Sequence, residues 1–326
     1  MPSDSPANNS LHALAHSLNR IVSEGRNPDT LDIDTLSTTD ILSRINAEDA
    51  KVASAVATQI AQIAKVVDAA AHSIQQGGRL IYVGAGTSGR LGILDAVECR
   101  PTFSVPDDVV VGIIAGGESA IQHAVEGAED NVDAGQRDLA QIVLTRTDTV
   151  VGISASGRTP YVSGALAYAQ SVGCVTGAIA CSPNAAIFEK ADIAICPVVG
   201  PEALTGSTRM KSGTAQKMVL NMISTTTMIT LGKTYENLMV DVNASNEKLK
   251  ARALRIVMQA TDCDEDTAQQ ALSACDNKAK VAILMVLTGM NASEAHSQLQ
   301  NTNGFLRKAV LSSKQAAKQG EQRDVE

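Results

Sequence analysis

The stretch "LIYVGAGTSGRLG", residues 80–92, decides the fold. An apolar run enters a glycine-rich turn and a helical pattern leaves it, which reads as strand, tight loop and helix N-terminus. Gly84, Gly86 and Gly89 satisfy G-x-G-x-x-G, the spacing of dinucleotide-binding folds. A helix N-terminus offers free N–H groups and a favourable dipole to any phosphate, so the loop alone does not select the ligand. A dinucleotide also needs an acidic residue at the end of the next strand, to hold the ribose. Here the next apolar run, "VVVGIIAG" at 109–116, ends in glycine, and Glu118 comes only beyond it. Asp107 and Asp108 precede that run, at the wrong end. No Gly-Lys-Ser/Thr follows to complete a Walker loop.

Outward from this stretch, strands and helices alternate. Candidate strands are 79–84, 109–116, 148–154, 174–180 and 193–199, each a continuous apolar run of the kind buried on both faces of a parallel sheet. Helical patterns fill the gaps at about 88–97, 119–141, 159–172 and 184–190, and a long helix at about 208–231 follows. Before the first strand, 38–75 reads as one helix capped by Thr38 or Thr39 and stopped by Gly77 and Gly78. After about Asn243 the strands cease and short helices with turns follow. The expected architecture is α/β: a parallel sheet between helix layers, with an N-terminal helical segment and a small C-terminal all-helical unit. The expected boundaries are 1–60 for the N-terminal extension and helix, 61–242 for the sheet domain and 243–313 for the helical domain. Residues 314–326 read as a charged, disordered tail. The first 20 residues are polar and read as a frayed or helical extension.

Composition narrows the function classes. The 326 residues are 44% hydrophobic and 19% charged, as in ordinary globular proteins. There is no Trp, with three Phe and four Tyr, so base-stacking platforms are not expected. A net charge of -8 argues against a broad basic surface for nucleic acid or anionic lipid. No apolar run approaches the roughly 20 residues of a membrane span, and the N-terminus lacks a signal-peptide core. These features point to a cytoplasmic protein. The six cysteines form no C-x-x-C pair and read as buried free thiols. The five histidines have no metal-ligand spacing, so no metal is expected.

Ligands of an open parallel sheet sit beyond the carboxyl ends of its strands. Three loops there are rich in Gly, Ser, Thr and Arg: 84–90 after the first strand, 154–159 after the third, and 200–209 after the fifth. Helix caps alone use the same residues, but two Ser/Thr-Gly-Arg loops in one sheet suit a phosphate site. Two acidic stretches follow. Glu98 lies about three helical turns beyond the first loop, beside Cys99 and apolar neighbours, where a raised pKa would suit a general acid. In "AIQHAVEGAED", 120–130, His123, Glu126 and Glu129 recur every third residue and are expected on one helix face.

Together these stretches resemble the sugar isomerase (SIS) family of phosphosugar-binding domains, and more closely the N-acetylmuramic acid 6-phosphate etherase family. The marks are "GRLIYVGAGTSGRLGILDAVEC", "IAGGESAIQHAVEGAEDN", "SASGRTPYV", "TGSTRMKSGTAQKMVLNMIST" and "NLMVDVNASNEKL". The glucokinase regulatory protein is similar, less closely. The resemblance implies cleavage of the D-lactyl ether at C3 of the phosphosugar by elimination and hydration, in peptidoglycan and amino-sugar recycling. It implies no cofactor and a homodimer with sites near its interface. Carried over residue by residue, Glu98 is the acid and Glu129 the base at C2, the pair being firmer than the division of roles. Thr87, Ser88, Ser154, Ser156 and Thr159 hold the phosphate, and Arg158 assists or bridges to the partner chain. Glu202, Ser207 and Lys211 line the sugar site, although Glu202 also reads as a structural acid beside a helix and Lys211 as a helix-face lysine. One departure is "AVECRPT" where the family has "ASECPPT": Arg100 replaces a proline, and a cation meeting Glu98 would weaken it as an acid. The other readings are a phosphosugar-binding regulator without turnover and an aldose–ketose phosphosugar isomerase.

Overall fold

The structure is a computed structural model that describes residues 21–242 and 247–323, with side chains described to Gln315. The first 20 residues, and the expected boundary at Asn243, lie outside the described residues. The chain divides into two compact units, residues 1–97 with 108–224, and 98–107 with 225–326.

The first unit carries five parallel strands in the order β2-β1-β3-β4-β5. They are β1 (Leu80–Gly84), β2 (Val110–Ile114), β3 (Thr149–Ile153), β4 (Val175–Ile179) and β5 (Ile193–Ile195). All five expected strands are present. β5 is shorter than expected because Pro197 cannot donate to a ladder. Every residue of β1 and β3 is buried, as continuous apolar runs demand. Helices cover both faces. These are α1 (Thr38–Asp49), α2 (Val52–Ala57), α3 (Ile60–Gln75), α4 (Gly86–Phe103), α5 (Ser119–Gln122), α6 (Val132–Gln141), α7 (Pro160–Val172) and α8 (Lys211–Thr230). Ile81, Val83 and Val150 face Val162 and Leu166 of α7. On the opposite face, Gly177 has room for Val66 of α3, and Tyr82 and Ile153 lie against Gly92 of α4. Buried Asp95 of α4 accepts from Asn221 Nδ2 (2.6 Å) and Ser224 Oγ (3.1 Å) of α8.

Three local expectations change. The 38–75 segment is three helices, α1 to α3, and Ser37 is the cap, accepting from Asp40 N at 3.3 Å. The break before α3 has a use: the Gln59 side chain accepts from Cys196 N, just beyond β5. The 119–141 helix is also absent as one piece. Only α5, a 3-10 turn at Ala128–Asp130, and α6 form there. Gly127 is left-handed at φ 71° and His123 is extended, which ends any helical run between them. α4 runs past Pro101 to Phe103.

The second unit holds five further helices: α9 (Glu247–Thr261), α10 (Glu265–Ser273), α11 (Ala279–Thr288), α12 (Ala292–Asn301) and α13 (Leu306–Arg323). Their apolar faces meet around Val257, Leu272, Ile283, Leu284 and Leu306. Asp264 caps α10, and Asn291 with Glu294 forms a capping box on α12. α13 continues as helix to Arg323, through most of the stretch that composition marked as a disordered tail. No helix among the described residues is long and apolar enough to cross a membrane. No disulfide forms among the described residues; four of the six cysteines are buried, and Cys196 and Cys263 are half-buried.

Candidate functional site

Strand order reverses between β1 and β3, and such a switch point is where open sheets bind ligands. Gly84 and Ile153 are register partners, so the loops after β1 and β3 begin side by side.

The glycines of the first loop serve its own junction. A Cβ on Gly84 would lie 2.6 Å from Gly89 N, and one on Gly89 would lie 2.6 Å from Ile114 Cγ1. Gly86 turns the chain at φ 52°. Close strand–helix packing therefore accounts for the G-x-G-x-x-G spacing, and the ribose-binding acid is missing. Ser88 is buried and donates to Gln216 Oε1 of α8 at 2.9 Å, while Thr87 is half-buried. In the second loop, Ser154 Oγ accepts from Gly157 N (3.0 Å) and shares a 2.8 Å hydrogen bond with Thr159 Oγ1. Ser156 Oγ accepts from Arg158 N at 3.3 Å, and Arg158 is exposed. Gly157 is left-handed at φ 70°, and its absent Cβ would fall 2.1 Å from that of Ala185.

The third loop is engaged internally. Glu202 is fully buried and caps α8: its carboxylate accepts from Lys211 N and Ser212 N (2.9 Å each) and from Ser212 Oγ (2.8 Å). Of its two readings, the geometry matches the structural acid. Lys211 is 1% exposed and its Nζ lies 2.5 Å from Glu48 Oε2. Burial alone would raise the Glu48 carboxyl pKa. Hydrogen bonds from Lys211, Lys51 and Asn27 outweigh that and hold it at about 2. Ser207 is half-buried, its N–H donating to Leu204 O.

The carboxylates arrive differently from the sequence expectation. His123, Glu126 and Glu129 share no helix face, because the segment is an open excursion with Gly116, Gly117 and Gly127 all at positive φ. Glu129 nevertheless lines a cavity of about 180 Å³ together with Glu126, Val125, Ala115, Gly86 and Arg90. That cavity brings Glu129 to the first turn of α4. Glu98 is not among its lining residues; it is exposed on α4, and Cys99 beside it is buried. Arg100 does not engage Glu98. The two stand two residues apart, which turns their side chains away from each other, and Arg100 pairs with Asp107.

Sequence reasoning missed Gln216 and Glu48, and it noted Arg90 in its loop without giving it a role. Arg90 donates to Ile121 O (2.9 Å) and His123 O (3.3 Å). It follows "TSG" as Arg158 follows "ASG", a parallel that points to it. Glu48 and Gln216 contact residues 163 and 128 positions away, and no local pattern marks them.

A family profile described as the glucokinase regulatory protein N-terminal SIS domain matches residues 62–170. The N-acetylmuramic acid 6-phosphate etherase of Pseudoalteromonas atlantica is 61% identical over 91% of this chain and 97% of its own. That of Brucella anthropi is 59% identical over 93% and 98%. The N-acetylmuramic acid 6-phosphate etherase 2 of Vibrio cholerae is 59% identical over 91% and 97%. Among solved structures, a phosphoheptose isomerase from Francisella tularensis aligns with 60% of this chain and all of its own, at 14% identity and a TM-score of 0.44. With relatives this similar across nearly their whole length, the chain belongs to the N-acetylmuramic acid 6-phosphate etherase family.

Proposed function

We propose that this protein cleaves the D-lactyl ether at C3 of N-acetylmuramic acid 6-phosphate, using water, to give N-acetylglucosamine 6-phosphate and D-lactate. The observation that carries the reading is the end-to-end similarity to etherases, 61% identity over 97% of one relative. The cavity that places Glu129 beside the first turn of α4 supports it.

A plain ether is a poor electrophile, so the sugar must be activated next to the bond. In the open-chain form the C1 aldehyde acidifies the C2 proton. A base removes that proton, the C3–O bond breaks, and an acid protonates the departing lactate oxygen. The unsaturated aldehyde then adds water at C3. One base and one acid near adjacent carbons suffice. We assign Glu129 as base and Glu98 as acid. Thr87, Ser88, Ser154, Ser156 and Thr159 are assigned to the 6-phosphate, with Arg158 and Ser207 at the margins of the site; Lys211, buried against Glu48, is assigned to the structural pair and not to the sugar.

A homodimer fits two features. The cavity of about 180 Å³ is smaller than the roughly 300 Å³ at which small-molecule sites begin. α4 also exposes Leu94 (51%) and Val97 (63%), apolar area that a second copy would cover. The substrate is a phosphorylated cell-wall sugar, which fits a cytoplasmic role in peptidoglycan recycling. We retain the division at about residue 243 between the sheet domain and a C-terminal helical domain.

The test is lactate release in water enriched in heavy oxygen. Elimination and hydration put the label in the sugar and none in the lactate. Saturable phosphosugar binding by folded protein without lactate release would make it a regulator instead. The phosphate assignment has its own check, Gly157→Ala. A side chain at this left-handed position costs about 1–2 kcal/mol in backbone strain, and the Cβ also collides with Ala185. Calorimetric titration with N-acetylglucosamine 6-phosphate is expected to show binding weakened about tenfold or more, and unchanged affinity would remove the 154–159 loop from the site.

A further inference from the structure

We infer that Arg90 is a positioning residue, holding the excursion that carries Glu129 in register with the phosphate-loop helix. The inference rests on the etherase reading for its kinetic consequence but not for its geometry.

Residues 121–127 are all exposed, and the flanking glycines 116, 117 and 127 adopt positive φ. α5 is a single turn, too short to hold its own place. Arg90 stands on α4 immediately after the glycine-rich turn and reaches across to this segment. Its Nε donates to Ile121 O and its Nη2 to His123 O, at 2.9 and 3.3 Å. Ile121 belongs to the last turn of α5, where carbonyls lack helical partners and a cation is favoured. One rigid guanidinium thus grips two carbonyls around the turn that leads into Val125, Glu126 and Glu129. Lysine, with a single nitrogen, cannot reproduce that fork. Arg90 also lines the cavity with Glu126 and Glu129, so a shift of the excursion would change the site itself.

The experiment compares wild type with Arg90→Lys and Arg90→Ala in the full chain. In both variants kcat for lactate release is expected to fall about 100-fold, the scale of a misplacement of about 1 Å. KM and the Kd for N-acetylglucosamine 6-phosphate are expected to stay within about threefold. Added guanidinium ion is expected to restore part of kcat to Arg90→Ala, and retained charge is not expected to rescue Arg90→Lys. Hydrogen exchange supplies a readout independent of turnover: amides of 118–130 should exchange at least tenfold faster in both variants, with the strands unchanged. A rise in KM and Kd at unchanged kcat would overturn the proposal and make Arg90 a substrate-binding group. Unchanged exchange over 118–130 would overturn it as well. A wild type that releases no lactate, with faster exchange in the variants, would remove the etherase reading and leave the positioning role standing.

Discussion

Replacing Glu129 with glutamine is expected to lower lactate release by about 10²–10⁴-fold, the usual worth of a positioned acid or base. Glu98→Gln should cost a similar factor, yet the two should fail at different bonds. If Glu129 removes the C2 proton, Glu129→Gln also stops exchange of that hydrogen with solvent deuterium. Glu98→Gln keeps the base, so C2 exchange should persist while the C3–O bond stays intact. Proton NMR of the phosphosugar in heavy water reads both events in one sample. Exchange that survives in Glu129→Gln and vanishes in Glu98→Gln would exchange the two roles. Exchange and release at wild-type rates in either variant would remove that residue from the mechanism. Of the two, Glu129 is the group that shares a cavity with Gly86 of the glycine-rich turn.

Glu48→Gln is expected to destabilise the sheet unit by about 3–5 kcal/mol, because it leaves the Lys211 ammonium buried beside a neutral amide. At about 2–4 °C per kcal/mol for a unit of this size, the melting temperature should drop on the order of 10 °C. Lys51 also pairs with Glu48 but is half-exposed, so its loss of partner costs little. The double variant Glu48→Gln/Lys211→Met removes both charges and should recover much of the loss. The pair has a pH signature. Glu48 is held at about 2 in the folded protein, below its ordinary 4.5. Its contribution is fully present above about 4.5 and is lost as pH falls through 2. Wild type should therefore lose stability over that window more steeply than Glu48→Gln. A single-variant cost under about 1 kcal/mol would show the pair to be dispensable.

The sheet was legible because five apolar runs with polar punctuation leave few alternatives, and β1 to β4 match to within two residues at either end. Helices were less legible where tertiary demands cut them. Periodicity over 38–75 does not reveal that Gln59 breaks the run to serve Cys196. In 119–141, Gly127 carries the break, and a regular spacing of acids concealed it. Glu129 was thus named through the resemblance, and the shared-face argument for its cluster does not hold. The three polar loops were legible from their place after strands, which topology dictates. The ion pair of Glu48 with Lys211 joins residues 163 positions apart, and no local rule encodes it.

The bond between Ser88 and Gln216 also bears on how the molecule is made. The two residues are 128 positions apart in the chain. A ribosome adds about 5–20 residues per second, so the glycine-rich turn exists for roughly 6–26 seconds before its hydroxyl partner is synthesised. Through that interval β1 already has β2 to pair with, but the loop has no α8 behind it. Until α8 emerges, the glycine-rich turn stands without the bond that pins Ser88, although every residue lining the cavity with Glu129 has already been made.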